Sequence, residues 1–274
     1  MIRYIPLSAS LQSMHEFLKN RLLISRLTKR EIVGRYKGST FGLMWSLLTP
    51  VFMLAVYTFI FSIVFEARWG SDSHSKTDFA LLLFAGLIVF NLFSECISRA
   101  PSVILSNVNY VKKVVFPIES LLWVNLGSAL FHFFISLIVW LIFYGYEYEA
   151  FNWTALLLPL YILPTALMIM GLSLFLASLG VFIRDVGHLV GILITILMFL
   201  SPIFYPIEAI PDSFRVYLQL NPLVPAIDFV RTLLFYNEIP NTVEFIKFSV
   251  FCLLVFEIGY LWFIKTKKGF ADVL

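Results

Sequence analysis

The chain has 274 residues, 60% hydrophobic and only 14% charged, with a formal net charge of +3. Soluble domains average about 45–50% apolar and about 25% charged residues, so the composition excludes an ordinary soluble domain and points to an integral membrane protein. Both cysteines, Cys96 and Cys252, fall in apolar stretches, which excludes a disulfide framework and zinc-type spacing and leaves two small buried hydrophobes.

Residues 1–41 lack the short apolar core and small-residue cleavage site of a signal peptide. Ser13 and Glu16 fit a capping box at a helix start. Leu11, Met14, Leu18, Leu22 and Ser25 then recur at helical spacing among Lys19, Arg21, Arg26, Lys29 and Arg30. A basic amphipathic helix of this kind lies in a membrane interface; the plainer reading is a cytosolic helix ahead of the first span. Residues 41–65 carry no charge, and as a helix of about 38 Å they cross about 30 Å of hydrocarbon with tilt. Pro50 predicts a kink within them. A polar loop over 66–78 leads to a second span at 79–97. Residues 99–118 form a connector containing Lys112, Lys113 and the breakers Pro101 and Pro117. A third span at 121–146 ends in an acidic loop with Glu147 and Glu149. The fourth, 151–183, exceeds one crossing and has Pro159, Pro164 and Gly171 available for bends.

Arg184-Asp185 then forms a tight polar turn, too short to be a domain, before a fifth uncharged run at 189–207. Ser201-Pro202 and Pro206 interrupt this run while its apolar character persists. Broken backbone at membrane depth survives only where protein or a water-filled cavity satisfies it. The fifth run therefore reads as one wall of a translocation path, with an elbow at one end and a gate at the other. Residues 207–244 are rich in proline (Pro211, Pro222, Pro225, Pro240), and their apolar stretches, 214–220 and 226–236, are too short to span. They form either a re-entrant segment or a folded extramembrane loop. A sixth span at 245–264 and a basic tail at 265–274 complete one transmembrane domain over 1–274: an interface region (1–40), a six-span bundle (41–264) and the tail. The expected fold is all-α.

Lysine and arginine fix the orientation. With both termini on one side, that side holds eight in residues 1–41, three in 99–118, Arg184 and three in the tail. The other holds Arg68, Lys76, Arg215, Arg231 and Lys247. Both termini and the elbow are expected to be cytoplasmic.

Chemistry is sparse. No G-x-x-x-x-G-K-[S/T] or G-x-G-x-x-G occurs, so the chain is not expected to bind ATP or a dinucleotide itself. Glu95 and Arg99, four apart at the end of the second span, share a helix face and fit a self-satisfying pair better than a relay. Glu257 is a functional candidate by its depth, or pairs across a helix interface. His132 fits a satisfied core histidine better than a ligand. No metal site and no hydrolytic group is expected. A proton- or sodium-coupled carrier would place several ionisable groups at mid-membrane, so the energy source is expected elsewhere. Aromatics remain: Tyr57, Phe61, Phe65, Phe199, Phe204 and Tyr205 lie on the interrupted spans and can stack on sugar rings. Lipid-facing Phe and interfacial Tyr account for most of the 29 Phe regardless.

Several motifs taken together resemble a known family. They are Lys29-Arg30-Glu31-Ile32-Val33-Gly34-Arg35-Tyr36-Lys37-Gly38-Ser39 leading to Phe41-Gly42-Leu43-Met44-Trp45 and Pro50; Val111-Lys112-Lys113-Val114-Val115-Phe116-Pro117; Arg184-Asp185-Val186-Gly187-His188; Ser201-Pro202-Ile203-Phe204-Tyr205-Pro206; Leu220-Asn221-Pro222-Leu223; and Gly269-Phe270-Ala271-Asp272-Val273-Leu274. Over nearly its whole length the chain resembles the permease subunit of ABC-2 type exporters of lipid-linked polysaccharide, in particular O-antigen exporters of the Wzm type. The resemblance implies six spans, an interface helix, a coupling helix between spans 2 and 3, and short gate helices before span 6. It also implies a homodimer carrying two copies of a separate ATPase, which binds ATP and Mg; the chain itself holds no cofactor. The implied substrate is an undecaprenyl-linked glycan moved to the periplasmic side of a bacterial inner membrane, with membrane lipids but no nucleic acid as further partners.

On that basis Tyr57, Phe61, Phe199, Ser201, Pro202, Phe204, Tyr205 and Pro206 are expected at the channel and gate. Arg30, Arg35, Lys37, Asn109, Lys112, Lys113, Arg184 and Asp185 are expected to couple to the ATPase. Export of capsular polysaccharide, teichoic acid or a small lipophilic compound is the alternative within the fold. A membrane-embedded enzyme on lipid-linked sugars would need clustered carboxylates or histidines facing a cavity, which the sequence does not offer. The kinked uncharged spans argue against a purely structural scaffold.

Overall fold

The computed structural model describes residues 9–64, 76–112 and 116–274, and among these every regular element is a helix. Phe65, residues 66–75, where a polar loop was expected, and Lys113 lie outside the described residues.

The first helix, α1 (Ala9–Arg35), is unbroken. It already runs through Ser13, which is buried, so the expected capping box does not start it. Glu16 instead accepts from the Tyr260 hydroxyl at 3.2 Å. The packed face presents Phe17 to Trp123, with ring centres 4.6 Å apart, and Thr28 to Gly127. Met14, Leu18 and Leu22 point away and are exposed. A helix with a packed face and a free apolar stripe is suited to lie along a membrane surface.

Helix α2 (Met44–Tyr57) continues as π-helical turns over Thr58–Val64. It is followed by α3 (Lys76–Val103), the short α4 (Val108–Lys112) and α5 (Glu119–Tyr148), which stops where Glu149 turns left-handed at φ 50°. A 3-10 turn over Trp153–Leu157 opens α6 (Leu158–Phe182), and α7 (Val186–Leu200) follows the Arg184-Asp185 turn. Next come α8 (Asp212–Gln219), α9 (Leu223–Arg231) with π-helical turns over Thr232–Tyr236, α10 (Thr242–Lys267) and α11 (Phe270–Val273). Among the described residues five helices, α2 (through Phe61), α3, α5, α6 and α10, are long and apolar enough to cross a membrane. With 15 residues α7 is shorter, about 22 Å.

Helix α3 is the axis of the bundle, in contact with α5, α6, α7 and α9. Leu81, Leu83, Ala85, Val89, Cys96 and Ala100 on it are fully buried. The expected break at Pro101 does not occur: α3 continues to Val103. A Cβ at Gly180 of α6 would come within 2.1 Å of the Pro101 carbonyl. Gly180 thereby lets α6 pack directly on the α3 backbone at the proline, whose missing bond is the one to the Ile97 carbonyl. Helices α6 and α10 run parallel and touch backbone to backbone, since a Cβ on Gly259 would lie 2.0 Å from the Gly171 carbonyl oxygen. Small residues allow such approach where lipid gives no hydrophobic drive between helices.

Helices α1, α4 and α11 and the α6–α7 turn gather at one end of the bundle. Phe270, fully buried, packs on Phe182 and Phe263, and Lys267 pairs with Glu119. Most of the basic residues collect there, so it is called the basic end below.

Candidate translocation path and coupling face

The path is built around the end of α7. Ser201 leaves helical geometry for extended backbone (φ −95°, ψ 145°), as the Ser201-Pro202 pair predicts. The last carbonyls of a helix lack partners inside it, and here side chains supply them. Ser201 Oγ donates to the Leu197 carbonyl at 2.6 Å, the Tyr205 hydroxyl to that of Phe199 at 2.7 Å, and Asn221 Nδ2 to that of Leu200 at 3.3 Å. Asn221 also donates to Ser201 Oγ at 2.9 Å, tying the break to the chain just ahead of α9.

The residue that sequence reasoning missed is Arg231. It was counted with the loop charges, yet it is 5% exposed at the end of α9. Nε donates to the Leu82 carbonyl of α3 at 2.9 Å, Nη1 to Pro202 at 2.6 Å and Nη2 to Ile203 at 3.1 Å. One guanidinium thus joins α3, α9 and the broken end of α7. Gly86 makes the space, because a Cβ there would stand 2.9 Å from Nη2. A signal was present: an arginine inside the apolar stretch 226–236 needs acceptors at that depth.

The aromatics expected at the gate converge on this point. Phe204 lies 6.3 Å from Phe61 and 6.1 Å from Phe199 between ring centres, and Tyr57 lies 6.5 Å from Phe61. The rings form a chain from α2 across the break to α7. Tyr205 turns its hydroxyl back onto α7, and Pro202 is buried under the break. On one side of α7, Leu189, Ile192, Leu193, Ile196 and Phe199 are exposed, as are Phe52, Val56 and Phe59 on α2.

Below the aromatics a cavity of about 380 Å³ opens between α2, α3 and α5, lined by Pro50, Tyr57, Asn91 and Ser136. Its charged end belongs to Glu95, and the expected Glu95–Arg99 pairing gives way to longer-range partners. Glu95 pairs with Arg35, and His132 Nδ1 lies 3.1 Å away. Tyr36 Oη stands 3.1 Å from His132 Nε2. Arg99 pairs with Glu31 of α1. His132 is thus satisfied, as expected, although it faces the cavity rather than the core.

A family model described as ABC-2 type transporter matches residues 23–235. The chain belongs to the ABC-2 type transporter family. Among its relatives is the O-antigen export system permease protein RfbA of Myxococcus xanthus, 26% identical over 94% of this chain and 98% of that protein. A protein of the same name from Klebsiella pneumoniae is 27% identical over 92% of this chain and 95% of its own length. The polysialic acid transport protein KpsM of Escherichia coli is 27% identical over 89% and 93%. With five long apolar helices, this ABC-2 type chain is a multi-pass membrane protein.

The residues expected to couple an ABC-2 type subunit to an ATPase are spread over the basic end. Arg30 donates to the Tyr110 hydroxyl at 3.2 Å, linking α1 to α4. Lys37, Asn109, Lys112, Arg184 and Asp185 are exposed. At the elbow the Asp185 carbonyl accepts from the His188 and Leu189 amides, which starts α7. Arg35 differs from the rest of the set, because it turns into the cavity toward Glu95.

Proposed function

We propose that this chain is the channel-forming membrane subunit of an ATP-driven exporter of lipid-linked polysaccharide, O-antigen type, across a bacterial inner membrane. The observation that carries the reading is the aromatic chain Tyr57–Phe61–Phe204–Phe199 at a helix break held by side-chain hydrogen bonds. Flat rings slide along a sugar chain more readily than fixed ionic contacts do. The names of the relatives support the polysaccharide class.

In this reading α7 and its broken end together make the fifth of six crossings, α8 and α9 are the re-entrant gate helices, and both termini are cytoplasmic. The exposed apolar faces of α2 and α7 meet those of a second copy, enclosing the path. Two copies of a separate ATPase, holding ATP and Mg, dock on the exposed basic end. Their closure pushes α4 and α1, and the glycan passes outward between the subunits. Likeness to the polysialic acid transport protein favours one alternative, a capsular polysaccharide as cargo.

The test is export in cells that lack this chain. Undecaprenyl-linked glycan should accumulate on the cytoplasmic face and clear when chain and partner ATPase are restored. Accumulation of a glycan on a different lipid anchor, identified by mass spectrometry, would favour the capsular reading. Unchanged surface glycan of every kind would refute both. Lys112→Glu should leave insertion intact but reduce co-purification of the ATPase; wild-type yield would leave Lys112 only a topological role.

A further inference from the structure

The cluster at the charged end of the cavity joins three helices. Arg35 closes α1, Glu95 lies on α3 and His132 on α5, all three with partly buried side chains. Arg35 Nη2 donates to Glu95 Oε1, while Nη1 stands 3.0 Å from His132 Nδ1. The same Nδ1 lies 3.2 and 3.1 Å from the two Glu95 oxygens. On the far side of the ring, Nε2 is 3.1 Å from Tyr36 Oη. An arginine side chain only donates and an ionised carboxylate only accepts. Nδ1 can therefore serve Arg35 or Glu95, never both at once. Without a proton it accepts from Arg35; with one it donates to Glu95 and turns a positive edge toward the guanidinium.

We propose that His132 is a positioning residue for Arg35, holding it in the cavity when the ring is neutral and releasing it when the ring is charged. In the neutral ring Nδ1 is bare, Nε2–H donates to Tyr36, and the guanidinium bridges Nδ1 and Glu95. Uptake of one proton from solvent at Nδ1 places two cations on one carboxylate, with Nδ1 and Nη1 only 3.0 Å apart. The ring stays, because Nε2–H keeps Tyr36 and Nδ1–H gains Glu95. Arg35 is the partner free to leave. Beyond it the chain runs through turns, with Gly38 at φ 90°, Gly42 at φ 52° and open space around both. The cluster remains neutral in either arrangement, since Glu95 is balanced by Arg35 or by the imidazolium. Its surroundings add no charge: α2 brings only Tyr57 to the cavity, α6 carries none, and Arg99 is held by Glu31. Lys29 and Phe131 line a separate groove between α1 and α5. Histidine changes charge between about pH 5 and 8, so the exchange needs no extreme condition. A released Arg35 joins Lys37 among the exposed cations of the basic end. Its use there, in coupling, rests on the proposed function; the exchange itself does not.

The experiment measures thermal unfolding of the purified full-length chain in detergent at about pH 8 and about pH 5. Arg35→Gln should lower the midpoint clearly at the higher pH. At the lower pH it should lower it much less, because the parent has already released Arg35. In a His132→Gln background the loss caused by Arg35→Gln should be the same at both. An equal loss at the two pH values in the parent background would make the cluster a fixed structural pair and overturn the proposal. A pH-dependent loss that persists without His132 would assign the proton to another group and overturn it as well. NMR of histidine-labelled parent protein keeps the test independent of whether the variants fold. The His132 ring should carry its proton on Nε2 alone at the higher pH and on both nitrogens at the lower. A proton on Nδ1 at the higher pH, or one unchanged ring state across the range, would refute the exchange. These measurements involve neither glycan nor ATPase, so their failure leaves the exporter reading standing, and a failure of export leaves the exchange to be judged on its own.

Discussion

The α6–α10 pair and the broken end of α7 both need close backbone packing at membrane depth, and they meet that need in opposite ways. Between α6 and α10, Gly171 and Gly259 bring main chain against main chain, and Ser178 Oγ lies 2.6 Å from Thr266 Oγ1 further along. Between the glycines the fit depends on the absence of atoms. At the end of α7 the carbonyls of Leu197, Phe199, Leu200, Pro202 and Ile203 are all held by side chains. A contact made by excluding atoms has one geometry. A contact made by hydrogen bonds from Arg231, Asn221 and Tyr205 can be exchanged bond by bond. The first is a static contact; in the proposed function the second is the wall that moves without unfolding its helix.

The largest effect is expected on the static side. Gly259→Leu pushes a side chain into the Gly171 carbonyl, and neither helix can retreat without losing the other's contacts, since Gly180 is pressed in turn on Pro101. Overpacking typically costs about 1–3 kcal/mol, and contact with main chain leaves little room for relief. The variant should give little folded protein in size-exclusion and thermal assays. Gly187→Leu, at a glycine with open space around it, should fold normally and serves as the control. Equal yields for the two would mean that the α6–α10 contact is looser than a fixed wall.

Next in size is the lock on the movable wall. Arg231→Leu removes this donor from three buried carbonyls; Leu82 keeps its helical partner, and with relaxation or water at Pro202 and Ile203 the net loss is about 1–2 kcal/mol. Lower thermal stability should come with an open break, read as ion conductance through reconstituted protein without ATP. Gly86→Ala acts on the same guanidinium from α3, through a Cβ 2.9 Å from Nη2, and should give the same leak with a smaller stability loss. Loss of stability with no leak in either variant would make Arg231 a structural residue like Gly259.

The two walls were not equally legible in the sequence. The uncharged runs, the elbow at Arg184-Asp185 and the break at Ser201-Pro202 rest on composition and on proline's missing donor, which act locally. They appear in the structure where expected. Phe61, Phe204 and Phe199 also meet at that break, a long-range contact that local rules do not specify. What failed was pairing. Local spacing offered Glu95 to Arg99, but Glu95 took Arg35, 60 residues away, and Arg99 took Glu31. Pro101 lies inside α3 rather than ending it, with Gly180 of α6 packed on its carbonyl. Arg231 looked like a loop charge because charge counting assumes water around each cation, and here carbonyls replace the water.

A smaller effect separates gate from anchor among the aromatics. Phe204→Ala with Tyr205→Ala removes the central ring of the chain and the donor to the Phe199 carbonyl. If these rings close the path, conductance should appear without ATP while folded yield changes little and glycan export persists in part. If they only anchor the break, yield should fall and no leak follow. Normal yield with no leak and normal export would move the gate to α8 and α9.

The smallest effect belongs where the static wall meets the surface helix. Glu16 of α1 accepts from Tyr260 of α10. Burial, aided by the charge of Glu119, holds its carboxyl above the ordinary carboxylate range despite Tyr260 and Lys267. A raised value means that the folded state binds this proton more tightly than the unfolded chain does. The contribution is therefore fully present below the ordinary value, about 4.3, and is lost as pH rises through the raised one. Docking of α1 should tighten at mildly acidic pH. Glu16→Gln keeps an oxygen for the Tyr260 hydroxyl and removes the charge. It should stabilise the chain slightly at neutral pH, within about 0–1 kcal/mol for a partly solvated group, and change nothing near pH 4. Unfolding midpoints at the two pH values give the comparison. An equal shift at both would assign the effect to the hydrogen bond, and would make the α1–α10 contact as indifferent to charge as the glycine contact behind it.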